Sequence, residues 1–89
     1  MKVYNMTSDR SGREVANQFE IWDDLGNRFF QSYSSLIAKI EKGGRVLLDE
    51  TYWDYSRTTG KYRNQFLGEG IEATRKKIES GEYTLTNLN

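Results

Sequence analysis

The sequence predicts an α+β domain in which a small antiparallel sheet of four to five strands, made of two hairpins, packs with one or two short C-terminal helices. Three observations predict it. Apolar residues recur with period two through much of residues 14–49, as they do on half-buried strands. Two turn-forming clusters, Asp23-Asp24-Leu25-Gly26-Asn27 and Lys42-Gly43-Gly44-Arg45, divide that region into hairpins. Beyond residue 56 the spacing becomes helical, punctuated by hydroxyl side chains at the start and glycines at the stops.

Residues 1–13 open with Val3 and Met6 and then turn polar, which reads as a fragment of strand or an arm followed by a loop. Over residues 14–22 strict alternation places Val15, Asn17, Phe19 and Ile21 on one face and Gln18, Glu20 and Trp22 on the other. Arg28 to Tyr33 is the returning strand of that hairpin, and Ser34-Ser35 ends it. Residues 36–41 alternate as well, although Leu36, Ile37 and Ile40 also fit helical spacing. The Gly43-Gly44 pair decides for a second hairpin, 36–41 with 45–49, through a two-residue turn that needs positive φ. Tyr52-Trp53-Asp54-Tyr55 is the densest aromatic cluster. Ser56, Thr58 and Thr59 then precede Tyr62 and Phe66, an i,i+4 pair, as helix-capping residues do, and Gly68 is the stop. A second helix runs from about Ile71 to Ser80, with Glu72 and Lys76 paired at i,i+4 and Gly81 as its stop. Tyr83, Leu85 and Leu88 close with a last strand. The expected core is Phe19, Phe29 or Phe30, Trp53, Tyr62 and Phe66.

Composition narrows the function classes. The 89 residues make one domain, 1–89. With no Cys there is no disulfide and no thiolate for zinc or an iron–sulfur cluster, and with no His the commonest metal ligand and general base are missing. No apolar run approaches the roughly 20 residues of a membrane helix, and the N-terminus has no signal-like apolar core. The expected setting is therefore cytoplasmic, without membrane contact. Thirteen basic and thirteen acidic residues balance, which argues against both a strongly basic nucleic-acid binder and an acidic mimic of DNA.

The search for chemistry returns little. A phosphate-binding loop ending at Gly60-Lys61 would need a glycine at position 55, which is Tyr55. The plentiful Ser and Thr have no His to activate them. Asp49, Glu50 and Asp54, beside the aromatic cluster, are the one carboxylate group with the oxygen ligands a hard cation takes. As rim charges beside a packed patch they need no metal. No catalytic residue, metal ligand or cofactor is expected, and the chain reads as a non-enzymatic binding protein. Twelve aromatics are more than the core requires of its strands, so Trp22, Tyr33 and Tyr55 are the candidate protein-binding residues. A second reading uses the basic stretch 57–77, where Arg57, Lys61, Arg63, Arg75, Lys76 and Lys77 would neutralise phosphates of a nucleic acid.

Phe30-Gln31-Ser32-Tyr33-Ser34-Ser35-Leu36-Ile37-Ala38 and Tyr52-Trp53-Asp54-Tyr55-Ser56-Arg57-Thr58-Thr59-Gly60-Lys61-Tyr62-Arg63-Asn64-Gln65-Phe66-Leu67 together resemble small bacteriophage and mobile-element proteins. Those carry a Ser-Tyr-x-x-x-(Ile/Val)-Ala strand before a Ser-x-Thr-Thr-x-x-(His/Tyr)-x-x-x-Phe-Leu helix start. Many relatives have His where this chain has Tyr62. The resemblance brings no catalytic residue. It implies a bacterial host cell as the setting and a host protein or defence complex as the partner, with inhibition of the anti-CRISPR kind as the sharpest form of the expectation.

Overall fold

A computed structural model describes all 89 residues. Six strands and two helices follow one another as β1 (Lys2–Thr7), β2 (Glu14–Trp22), β3 (Arg28–Ser32), β4 (Ser35–Ile40), β5 (Val46–Asp49), α1 (Arg57–Leu67), α2 (Ile71–Glu79) and β6 (Tyr83–Thr86). They form a single sheet in the order β1-β2-β3-β4-β5-β6. The first five strands are an antiparallel meander, and the helices carry the chain back so that β6 joins β5 in parallel. The α+β class is as the sequence predicts. The sheet is larger and mixed, because residues 2–7 are a full strand rather than an arm and because a crossover through two helices returns the chain parallel.

Local chemistry accounts for the elements the sequence announces. Asp23 closes the β2–β3 turn, its carboxylate accepting from Leu25 N, Asn27 N and Asn27 Nδ2, each at 2.9 Å. Between β4 and β5, Glu41 N donates to Arg45 O and Gly44 N to Glu41 O, both at 2.8 Å. Only Gly44 of the glycine pair has positive φ, at 96°, so this turn is longer than the two-residue type expected. Ser56 caps α1 by accepting from Thr59 N at 3.1 Å, and Gly68 ends it at φ 70° in the left-handed region.

One irregularity decides which residues enter the core. Asn5 pairs with Phe19 but Thr7 with Glu14, so β2 bulges between those two positions. Asn17 lies in the bulge with φ 65°. Bulges of this kind interrupt the alternation of faces. Val15 packs against the core, whereas Phe19 and Ile21 turn to the other side of the sheet and Gln18 turns in. Gln18 is fully buried, and both polar atoms of its amide lack a partner.

The core lies between the sheet and the helices. It comprises Met6, Phe30, Ile37, Ala38, Val46, Leu48, Tyr62, Phe66 and Tyr83, with the Phe30 and Phe66 rings stacked at 5.9 Å. Of the expected core, Phe30, Tyr62 and Phe66 are in place. Trp53 is half-buried and packs against the cluster from its edge, and Phe19 is outside it, displaced by the bulge. Tyr83 is also tied by its hydroxyl, which donates to Glu69 Oε1 at 2.9 Å, and Lys77 and Thr74 bond the same carboxylate at 2.6 Å each. This knot holds α2 on β6.

Candidate functional site

Both helices cover one face of the sheet, and the register defines what lies on the other. Across the strands Val3, Ile21, Phe29, Lys39, Leu47 and Thr84 form one row, and Asn5, Phe19, Gln31 and Leu36 a second. An antiparallel sheet with one solvated face ordinarily alternates apolar inward and polar outward. Here the outward rows hold Val3, which is exposed, Phe19, Ile21, Phe29 and Leu36, which are half-buried, and Leu47, which is buried. No helix packs on them, and Ile21, Phe29, Leu36 and Met1 line an apolar hollow of about 190 Å³. The charges of this face include Lys39, whose ammonium lies 5.5 Å from the Phe29 ring centroid, Glu41, 3.6 Å from that ammonium, Arg45, 3.8 Å from Glu41, and the buried Asp49, two residues beyond Leu47 on β5. The face is thus apolar at its centre, with both signs of charge toward the β4–β5 side.

Of the aromatic candidates, Trp22 belongs to the helix-side face, where Arg28 stacks 5.0 Å over its ring while ion-pairing with Glu20. Trp22 also borders an open hollow of about 490 Å³ with Met1, Lys2, Tyr4, Asp23 and Asp24. Tyr33 is at the opposite end of β3, in the β3–β4 turn. Tyr55 precedes α1 and meets Tyr52 edge-on at 5.4 Å. Tyr33 and Tyr55 adjoin the two ends of a hydroxyl chain, Ser32–Thr59–Ser56, with links of 2.9 Å. All three are exposed, but Trp22 is separated from the other two by the length of β3, so they do not form one patch.

Tyr33 has φ 56°, and its backbone N donates to Asn17 O at 2.7 Å, so two left-handed residues brace each other. That conformation costs a residue with a Cβ about 1–2 kcal/mol. Tyr33→Gly is therefore expected to raise the melting temperature by roughly 2–5 °C after glycine's own entropy is counted. A thermal melt followed by circular dichroism reads this, and a fall would mean the ring stabilises the turn by packing.

The basic stretch does not form a continuous surface. Arg63 is only 1% exposed, buried on the inner side of α1 with Thr59, one turn away. It donates through Nη1 to Trp53 O at 2.8 Å and Asp54 Oδ1 at 3.0 Å, and through Nη2 to Asn64 Oδ1 at 2.9 Å. It is withdrawn from any phosphate because the α1 helical period turns it inward. Lys77 is engaged by Glu69 and lies over Tyr83, and Arg75 is 3.6 Å from Asp54. Arg57, Lys61 and Lys76 remain exposed.

The three carboxylates do not converge on a cation. Asp49 is buried and accepts from Thr51 N, Tyr52 N, Leu88 N and Asn89 Nδ2 at 2.8–3.0 Å. Burial opposes its charge, but these four hydrogen bonds outweigh it and hold the carboxyl below its ordinary range. Asp54 is occupied by Arg63 and Arg75, and Glu50 faces solvent. No group of three or more acidic side chains is placed to hold a metal ion.

The same balance acts at Glu69. Burial opposes its charge, and the bonds from Lys77, Thr74 and Tyr83 outweigh this and lower its pKa from the ordinary 4.5. Lys77 is raised from 10.5, chiefly by the Glu69 hydrogen bond. A depressed carboxyl stabilises the fold above its unfolded pKa and loses that contribution as pH falls through the folded value. A raised ammonium stabilises below its unfolded pKa and loses it as pH rises through the folded one. Stability is thus expected to fall below about pH 4.5 and above about pH 10.5. Glu69→Gln should flatten both limbs in urea titrations across pH, and unchanged limbs would contradict the knot.

The face without helices, with half-buried Phe19, Ile21, Phe29 and Leu36, was not singled out in the sequence. The signal was the alternation itself, which puts Ile21 on the face of Phe19, and Phe19 was expected in the core. These features define an α+β domain with a six-stranded mixed sheet, one face of which is apolar and carries no helix. Residues 1–84 match a family of unknown function, DUF8033, and the chain belongs to that family. No curated protein matches it, and no solved structure does. No helix is long and apolar enough to cross a membrane.

Proposed function

We propose that the chain is a non-enzymatic binding protein whose uncovered sheet face docks on a protein partner. The observation that carries this reading is the apolar row Val3–Ile21–Phe29 on the face without helices, where Val3 is exposed and Ile21 and Phe29 are half-buried. Contiguous apolar surface of this kind marks contact sites in soluble proteins. Lys39 and Arg45 are both engaged by Glu41, which suits an apolar protein surface better than a polyanion, whose binding needs a free cationic footprint. The resemblance to phage and mobile-element proteins supports a finer form: a cytoplasmic accessory protein that occupies the surface of a host defence complex, as anti-CRISPR proteins do. In this reading Trp22, Tyr33 and Tyr55 are peripheral contacts.

The test is affinity purification of the tagged chain from its bacterial host. It is run beside Phe29→Glu and beside a triple variant with Arg57, Lys61 and Lys76 changed to Ala. A charge forced into an apolar contact costs at least about 2 kcal/mol, some 30-fold in affinity. Wild type and the triple variant are expected to retain one stoichiometric protein that Phe29→Glu loses. Retention by Phe29→Glu sinks the reading, and so does salt-sensitive recovery of nucleic acid lost in the triple variant.

A further inference from the structure

The sheet has two edges, and they are finished differently. On the β6 side the outermost strand has four residues, and the chain after it folds back. There Leu88 N and Asn89 Nδ2 donate to Asp49 Oδ1, and the Asn89 side chain engages both Leu36 N and Leu36 O. On the other side β1 has six residues, paired with β2 alone. An edge strand presents alternate N–H and C=O groups outward, and natural sheets blunt such edges with Pro, charge or a bulge. β1 has no Pro, its only charge is Lys2, and its one irregularity lies toward Thr7, leaving Lys2–Asn5 regular.

The side chains flanking this edge are apolar on both faces. Val3 and Tyr4 are 58% and 49% exposed. One hollow is lined by Lys2 and Tyr4 of this strand, the other lies on the opposite face over Ile21, Phe29 and Leu36, and Met1 borders both. Backbone groups repeating every second residue are satisfied by one kind of ligand, an extended strand.

We propose that β1 pairs antiparallel with β1 of a second copy of the chain, joining two sheets edge to edge across a twofold axis near Tyr4. Antiparallel pairing about Tyr4 sets the two Tyr4 rings opposite each other, a favourable cross-strand contact, and places Val3 against the partner's Asn5. It also holds the two Lys2 ammonium groups about 13 Å apart along the strands, beyond the screening length of about 8–10 Å. Parallel pairing would stack them. A net charge of zero leaves no long-range repulsion between copies. The joined sheet carries the apolar row that begins at Val3 in each copy into that of the other.

Sedimentation of the full chain over a concentration series is expected to show a mass rising from 10.4 kDa to twice that value. Hydrogen exchange on the same samples should show alternate β1 amides at least tenfold slower in concentrated than in dilute protein, with β6 unchanged. Tyr4→Lys, which sets like charges opposite at the axis, should remain a folded monomer by circular dichroism. A constant monomer mass up to about 1 mM overturns the proposal, as does a dimer that Tyr4→Lys leaves intact. Concentration-dependent protection outside β1 also overturns it. If Tyr4→Lys does not fold, the wild-type exchange pattern decides alone. None of these outcomes bears on partner docking by the sheet face, which Phe29→Glu reads separately.

Discussion

Phe30→Ala is expected to remove about 3–5 kcal/mol, a large share of the protein's stability, whereas Phe29→Ala, one residue away, should cost far less. Phe30 is fully buried at the centre of the helix-side core and stacks on Phe66. Removing such a ring costs about 3–5 kcal/mol, because the transfer energy is lost and a cavity remains. A chain of this length has about 4–13 kcal/mol of total stability. Phe29 lies on the bare face under the Lys39 stem, where truncation forfeits part of its burial and opens no cavity. Its cost should be near 1 kcal/mol. Paired urea titrations check this, and equal losses would mean that the two faces are not as the register assigns them.

Arg63→Ala is expected to cost about 2–4 kcal/mol, a fall in melting temperature of roughly 10–20 °C. The guanidinium is the largest fully buried side chain in the molecule. It joins the loop before α1, through Trp53 O and Asp54, to the helix itself, through Asn64, and lies 5.3 Å from the Trp53 ring centroid. Alanine leaves that carbonyl and the Trp53 face without a partner. Asp54 is about a third exposed and keeps Arg75, so the loss stays below that of a fully buried pair. Arg63→Lys should recover little, since one ammonium cannot reproduce the planar fork. A calorimetric melt distinguishes the cases, and a shift of under 3 °C for Arg63→Ala would show that the fork is dispensable.

Helix α1 was legible because its signals are local. Ser56 bonds an amide three residues away, and Gly68 takes a backbone conformation that needs no distant contact. The β2–β3 turn was legible for the same reason, since Asp23 bonds residues two and four positions on. For the site, the sequence pointed to exposed aromatics, but Trp22 and Tyr33 lie at opposite ends of β3 and share no patch. Arg63 reads as one cation among six, and only the helical period combined with the direction of the sheet turns it inward.

By itself, then, the sequence determined the class of fold, the two hairpins, the helix boundaries and the lack of thiol and imidazole chemistry, since each depends on residues within a few positions of one another. Tertiary structure decided the rest. The bulge at Asn17 reversed the faces of β2, the crossover made β6 parallel and added it to the sheet, and residues 2–7 became a strand because β2 offered its edge. An alternating pattern says that two faces differ but not which one will be covered. That choice is made when the helices pack, and it left Ile21 and Phe29 half-buried on the face that no helix covers.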